Sequence, residues 1–169
     1  MDNVLLDAIA EASGRTVAFS NGWRYGAPIP PGPVRMNDLW NIIPVNPPVS
    51  VCEVTGQELW DMMEENLERT FARNPYEQQG GYVKRCRGVN VYAKLENPAG
   101  ERIQAFFIEG APLEPGSTYP VAFVTEQGVP PKYGRARREL DVTAIEALQT
   151  YFQRHTTVRA DLRDTVVAV

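Results

Sequence analysis

The chain has 169 residues, with 17 Lys plus Arg against 21 Asp plus Glu, a formal charge of −4 and a pI near 5.1; 43% of its residues are hydrophobic and 22% charged. These values describe one folded domain able to hide on the order of 70% of its unfolded surface, and they exclude a wholly disordered chain and a nucleic-acid binder that works by bulk positive charge. No apolar run approaches the ~20 residues of a membrane-spanning helix, and two cysteines with one histidine supply neither a disulfide framework nor a closed zinc site.

Val4, Leu5, Ala8, Ile9 and Ala12 recur at helical spacing and predict a helix over 2–12, capped by Asp2 or Asn3 and ended by Gly14. The start carries no basic segment followed by a strong apolar one, so no secretory signal is read there. Two readings fit this opening, a small cytosolic protein or a piece of a longer chain. Thr16 to Phe19 reads as a short buried strand that stops at the turn Ser20-Asn21-Gly22. Half of the prolines lie between Pro28 and Pro48. Each fixes φ and removes a donor, so this segment is expected to be an ordered loop, broken by a short helix over 37–42 with Asn37 as cap.

Val49 to Val54 predicts a second strand. Thr55 and Glu58 form a capping-box pair that starts a helix bearing Leu59, Met62, Met63, Asn66, Leu67 and Phe71 on one broad face and ending near Pro75. Tyr76 to Gly81 reads as loop. The stretches 88–93 and 102–108, joined through Asn97-Pro98-Ala99-Gly100, predict a hairpin. A turn at 112–117, a strand over 119–124 and a Pro-, Gly- and Arg-rich loop over 128–138 follow. Asp141 is expected to cap a last helix running through Phe152, and 162–169 could add an edge strand. Strands interspersed with helices indicate an α+β fold of mixed layers, a mixed sheet with a hairpin flanked by helices.

Asn21-Gly22-Trp23-Arg24-Tyr25-Gly26 follows directly on a buried strand, where folds of this kind present ligand-binding loops. Arg24 between two aromatic residues is suited to a bidentate grip on phosphate, sulfonate or carboxylate; it fits equally a surface ion pair. Gln78-Gln79-Gly80-Gly81-Tyr82 is a second, amide-rich glycine turn that could line a polar pocket. Lys132, Arg135, Arg137 and Arg138 cluster in the expected loop after the fifth strand, as a solvated or docking surface. Glu64, Glu65 and Glu68 read as a solvated helix face, His155 as a surface partner of a helix end, Cys52 as core, and Cys86 as structural despite its two arginine neighbours. Anion-gripping parts are therefore present without a nucleophile paired to a base.

Several runs, in order, resemble one family. Asp2-Asn3-Val4-Leu5-Leu6-Asp7-Ala8 resembles the "DNLLTDA" opening of the C-terminal domain of 5′-nucleotidases, and Ala18 to Arg24 is similar to their "AFxNxGGIR" turn. Asp38 to Pro44, Val54 to Leu59, Gly80 to Val83, Gly88 to Tyr92 and Leu113 to Tyr119 continue the likeness over nearly the whole chain. Asn74 to Gly81 looks closest to the SoxB branch of thiosulfohydrolases. The resemblance implies a single 5′-nucleotidase C-terminal-like domain over 1–169, a fragment of a two-domain chain. An N-terminal calcineurin-like metallophosphoesterase domain would carry two divalent metal ions and cleave the ester, while this domain, holding no cofactor itself, binds a small anionic substrate. The full-length protein would be periplasmic, secreted or at the cell surface, with no nucleic-acid polymer and no membrane span involved.

The same likeness implies substrate contacts at Asn21, Gly22, Arg24 and Tyr25, at Val45 and Asn46 after Pro44, and at Tyr133. Val45 stands where nucleotidases place a base-clamping Phe, Thr125-Glu126-Gln127 replaces their "NDF" run, and Pro131-Lys132-Tyr133-Gly134 is all that matches their "GGDGY". A Val cannot stack on a purine. The expectation is thus a hydrolase domain for phosphate esters, nucleotides or related. A SoxB-like domain and a stand-alone anion-binding module remain as alternatives.

Overall fold

Helix α1 (Asp2–Ser13) buries Val4, Leu5, Leu6, Ala8, Ile9 and Ala10, and it ends on Gly14 in the left-handed region at φ 65°. The computed structural model describes residues 1–21, 28–159 and 161–169. Strand β1 (Val17–Ser20) is buried at all four positions, as expected of a strand covered on both faces. After it come α2 (Met36–Ile42), β2 (Pro48–Thr55), α3 (Gly56–Phe71), a 3₁₀ turn at Pro75–Glu77, β3 (Arg85–Arg87), β4 (Val89–Ala93) and β5 (Ile103–Ile108). The chain closes with β6 (Ala111–Pro112), β7 (Thr118–Phe123), β8 (Arg135–Thr143), α4 (Ala144–Arg154) and β9 (Val166–Ala168).

Two sheets result. The larger has the order β3-β1-β7-β2-β8, with β1 and β7 parallel and its other pairs antiparallel. The smaller, β6-β5-β4-β9, contains the expected hairpin β4–β5 and pairs β9 parallel to β4. Strand alternation sorts the larger sheet's side chains between two cores. Ala18, Val49, Val51, Ala122 and Val124 face α1, α2 and α4. Val17, Phe19, Cys52, Val54, Val121 and Phe123 face α3 and the smaller sheet. The layers are therefore three helices, the mixed sheet, then α3 with the second sheet, which is the α+β architecture read from the sequence.

Four local expectations are corrected. Residues 135–143 are not loop and the last helix does not start at Asp141: they form β8, which antiparallel β2 pairs along its length. Its exposed Arg135, Arg138, Glu139 and Asp141 are what the edge of a sheet shows. Thr143 caps α4 instead, accepting from the Glu146 N–H while the Glu146 carboxylate accepts from the Thr143 N–H. Arg35 rather than Asn37 precedes α2, where the Asp38 carboxylate accepts from the Arg35 N–H at 2.7 Å. The face of α3 bearing Glu64, Glu65 and Glu68 is not solvated. Glu64 is buried and accepts from the Ile103 N–H at 2.6 Å, and Glu68 pairs with the buried Arg102 at 2.9 Å.

Candidate functional site

Because β1 and β7 are parallel and β3 runs against β1, the exits of β1 and β7 and the entrance of β3 meet at one edge of the larger sheet. A cleft of about 630 Å³ opens there. Met62, Glu65, Asn66 and Arg69 line one wall, a spacing that puts all four on one face of α3. Gln79, Gly80, Tyr82 and Lys84 line a second wall; Glu126, Gln127, Pro130 and Pro131 a third; and Asn21 stands at the end of β1.

The walls are tied to one another by polar side chains. Asn66 accepts from the Lys84 N–H at 2.8 Å and donates to the Tyr82 carbonyl at 3.1 Å, and Thr70 also donates to that carbonyl. Asn21 Nδ2 donates to Gln127 Oε1 at 2.5 Å, and the Lys84 ammonium donates to the Gln127 carbonyl. The strand end, the loop after β7 and the entrance to β3 thus form one hydrogen-bonded unit. Lys84 is 7% exposed although it lines the cleft. Burial pushes its ammonium down to about 8, against the raising charge of Glu65.

Glu65 collects donors from two elements. Arg69 reaches it at 2.6 Å, Lys132 at 2.8 Å and the Tyr133 hydroxyl at 2.9 Å. Burial pushes its carboxyl up, but the bonds from Lys132 and Tyr133 and the charge of Arg69 outweigh this and leave it below the usual range. A depressed folded pKa contributes stability that is present above the unfolded value of about 4.3 and lost as pH falls through the folded one. Unfolding midpoints of the wild type and Glu65→Gln should therefore differ at pH 7 and converge as pH falls from about 4.3 through the lower folded value; an offset that stayed constant on acidification would contradict this.

Of the residues singled out in the sequence, Asn21 lines the cleft, while Gly22, Arg24 and Tyr25 lie outside the described residues. Val45 is 56% exposed and does not line this cleft. Asn46 serves the fold: its Oδ1 accepts from the Ile145 N–H at 2.9 Å, inside the first turn of α4. Tyr133 is largely buried, and its hydroxyl donates to Glu65. The basic cluster is exposed at Lys132, Arg135 and Arg138, as expected, and half-buried at Arg137. Lys132 pairs with Glu65, Arg135 with Glu53, and Arg137 donates to the carbonyls of Val129, Pro130 and Tyr133. Arg137 and Arg138 border a second hollow of about 320 Å³ on the β8 side. The amide-rich turn does reach a pocket, through Gln79 and Gly80. Sequence reasoning misses Lys84, because a lone Lys carries no periodic signal, and places Asn66 on the face of α3 without its role in the cleft.

Among the described residues no three His, Cys, Asp or Glu side chains gather as metal ligands. Cys52 and Cys86 are buried and free, and burial pushes both thiols up to about 11. His155 ends α4 and lies 2.9 Å from Glu11. No described helix is long and apolar enough to cross a membrane.

Comparison with known proteins adds sequence and fold relationships. Residues 1–125 match the family described as 5′-nucleotidase, C-terminal domain. The chain is 26% identical over 105 residues to the trifunctional nucleotide phosphoesterase YfkN of Bacillus subtilis strain 168, a match covering 62% of this chain and 7% of that protein. Among solved structures, the sulfate thiohydrolase SoxB of Thermus thermophilus superposes with a TM-score of 0.85 at 23% identity, covering 99% of this chain and 31% of SoxB. A 5′-nucleotidase precursor, also from Thermus thermophilus, superposes at 0.79 with 20% identity, covering 99% of this chain and 35% of the precursor. The chain thus spans about a third of these structures and far less of the curated relative.

Proposed function

Because this chain belongs to the family of 5′-nucleotidase C-terminal domains, we propose that it is the substrate-binding half of a two-domain hydrolase acting on phosphate esters, nucleotides or related compounds. The observation that carries the reading is the cleft at the exits of β1 and β7, lined by amide, cationic and carboxylate groups and reached by Asn21, which precedes Gly22 and Arg24 in the sequence. In this reading Arg24 holds the substrate anion. The bond-breaking chemistry and its two divalent metal ions belong to a separate N-terminal metallophosphoesterase domain. The full-length protein works outside the cytoplasm, a placement supported by the precursor status of one structural relative.

A SoxB-type sulfur ester or thiosulfonate is the second reading. It is favoured by Val45, exposed where the nucleotidase likeness expects a base-stacking ring. In the full-length enzyme, Arg24→Ala should lower kcat/KM about 10- to 100-fold, on the order of the 1–3 kcal/mol of a lost charged hydrogen bond. An unchanged kcat/KM would remove Arg24 from the site. The chain by itself should leave 4-nitrophenyl phosphate intact with added Mn²⁺; metal-dependent turnover would overturn the division of labour, and loss-free function without a metal domain would favour a stand-alone binding module.

A further inference from the structure

We propose that Lys84 is a ligand-binding residue of the cleft, whose ammonium takes an oxygen of an anionic phosphate, sulfonate or carboxylate group on the bound molecule. The inference deepens the functional reading above and rests on it. Three observations carry it. Lys84 is a cation withdrawn from bulk water yet bordering a cavity of about 630 Å³. Its placement is built, since Asn66 fixes its backbone N–H and the Gln127 carbonyl receives its ammonium. Among the described residues no carboxylate lies within ion-pair distance of it. Glu65 is already engaged by Arg69, Lys132 and Tyr133, and Glu126 sits exposed at the rim without bonding it.

A desolvated cation is costly unless it is neutralised. An ammonium has three donors, and one acceptor among the described residues leaves two directions for others. The cleft supplies the space, and an oxyanion supplies both the acceptors and the missing charge. The same carbonyl that receives Lys84 belongs to Gln127, whose side chain holds Asn21. A ligand on Lys84 is therefore linked through Gln127 to Asn21. Among the described residues the charged or titratable groups around Lys84 are Glu65 and Arg69 on α3, Tyr82 just before it, Glu126 after β7, Arg85 beside it in β3, and Arg163 near the C-terminus. Burial keeps the free ammonium near 8, and a bound anion raises that value. Affinity should thus be full below pH 8 and fall as pH rises above it.

The test is titration of the chain with sodium sulfate and with inorganic phosphate at constant ionic strength, following Lys84 by carbon-detected NMR of ¹³C-lysine-labelled protein. Either ion should raise the Lys84 titration midpoint by about one pH unit, and Lys84→Met should weaken binding at least tenfold while Lys84→Arg stays within about threefold. Thermal unfolding of each variant checks that it is folded, and the midpoint shift in the wild type needs no variant. A Lys84 midpoint unmoved at saturating anion, or Lys84→Met binding like the wild type, would overturn the proposal. Loss of binding in Arg24→Ala but not in Lys84→Met removes Lys84 and leaves the functional reading standing; the reverse pattern keeps Lys84 and removes Arg24.

Discussion

Gly56→Ala should destabilise the domain by about 3 kcal/mol, the upper end of what overpacking costs. Helix propensity argues the other way. Gly56 is the first residue of α3, no left-handed φ requires a glycine there, and Ala is favoured over Gly in a helix interior by about 1 kcal/mol. Contact geometry decides the sign. A Cβ at position 56 would lie 2.1 Å from the Glu114 carbonyl oxygen and 2.7 Å from its carbonyl carbon. Both are backbone atoms of a turn tied to the same helix start by Gly56 N–H to Ser117 O at 2.9 Å and Gln57 N–H to Pro115 O at 3.0 Å. Neither side can yield without losing those bonds. Since α3 carries Glu65, Asn66 and Arg69 into the cleft, a tilt at its first turn should also weaken sulfate binding. Urea unfolding measures the first effect. A variant as stable as the wild type would mean that the 113–117 turn moves freely, and the reasoning from contact would fail.

The elements most legible in the sequence are those whose pattern has a single physical cause. The apolar stripe of α1, the Thr55–Glu58 box of α3 and the alternation of β4 and β5 each appear where expected. Strand β3 is invisible in the sequence because Arg85 and Arg87 flank a buried Cys86. Three residues with one inward side chain make no period. Strand β8 resembles a loop for a related reason. An edge strand with one polar face shows Arg, Glu and Asp in places where a central strand would show Val. The site divides in the same way. Asn21 can be found because it ends a buried strand at a turn. Lys84 cannot, since its burial depends on α3, the loop after β7 and the entrance to β3 meeting, a property of the tertiary fold alone. Val45 and Asn46 enter by resemblance, and Asn46 proves to hold a helix end.

Arg137→Met should cost about 2–4 kcal/mol and open the third wall of the cleft, even though Arg137 does not line it. The segment 129–134 includes Pro130 and Pro131, which offer no N–H, and inside it the Tyr133 N–H bonds the Pro130 carbonyl at 3.0 Å. Arg137 reaches in from β8 and gathers three of its carbonyls, Val129 at 2.8 Å, Pro130 at 3.3 Å and Tyr133 at 2.8 Å, while its guanidinium lies 4.6 Å from the centre of the Phe123 ring. Charged donors make such bonds worth roughly 1.5–3 kcal/mol apiece, and water recovers part of that because the side chain is only half-buried. Lysine should not rescue the loss, for a single ammonium cannot span three diverging carbonyls as a planar fork does. With the clamp gone, Lys132 and Tyr133 should lose their hold on Glu65, and Pro130 and Pro131 should drift from the cleft. Amide hydrogen exchange at Tyr133 reports the loosening, and urea unfolding reports its cost. Wild-type protection at that amide in Arg137→Met, or full stability in Arg137→Lys, would show that the loop is held by its own packing and that the arginine fork is incidental.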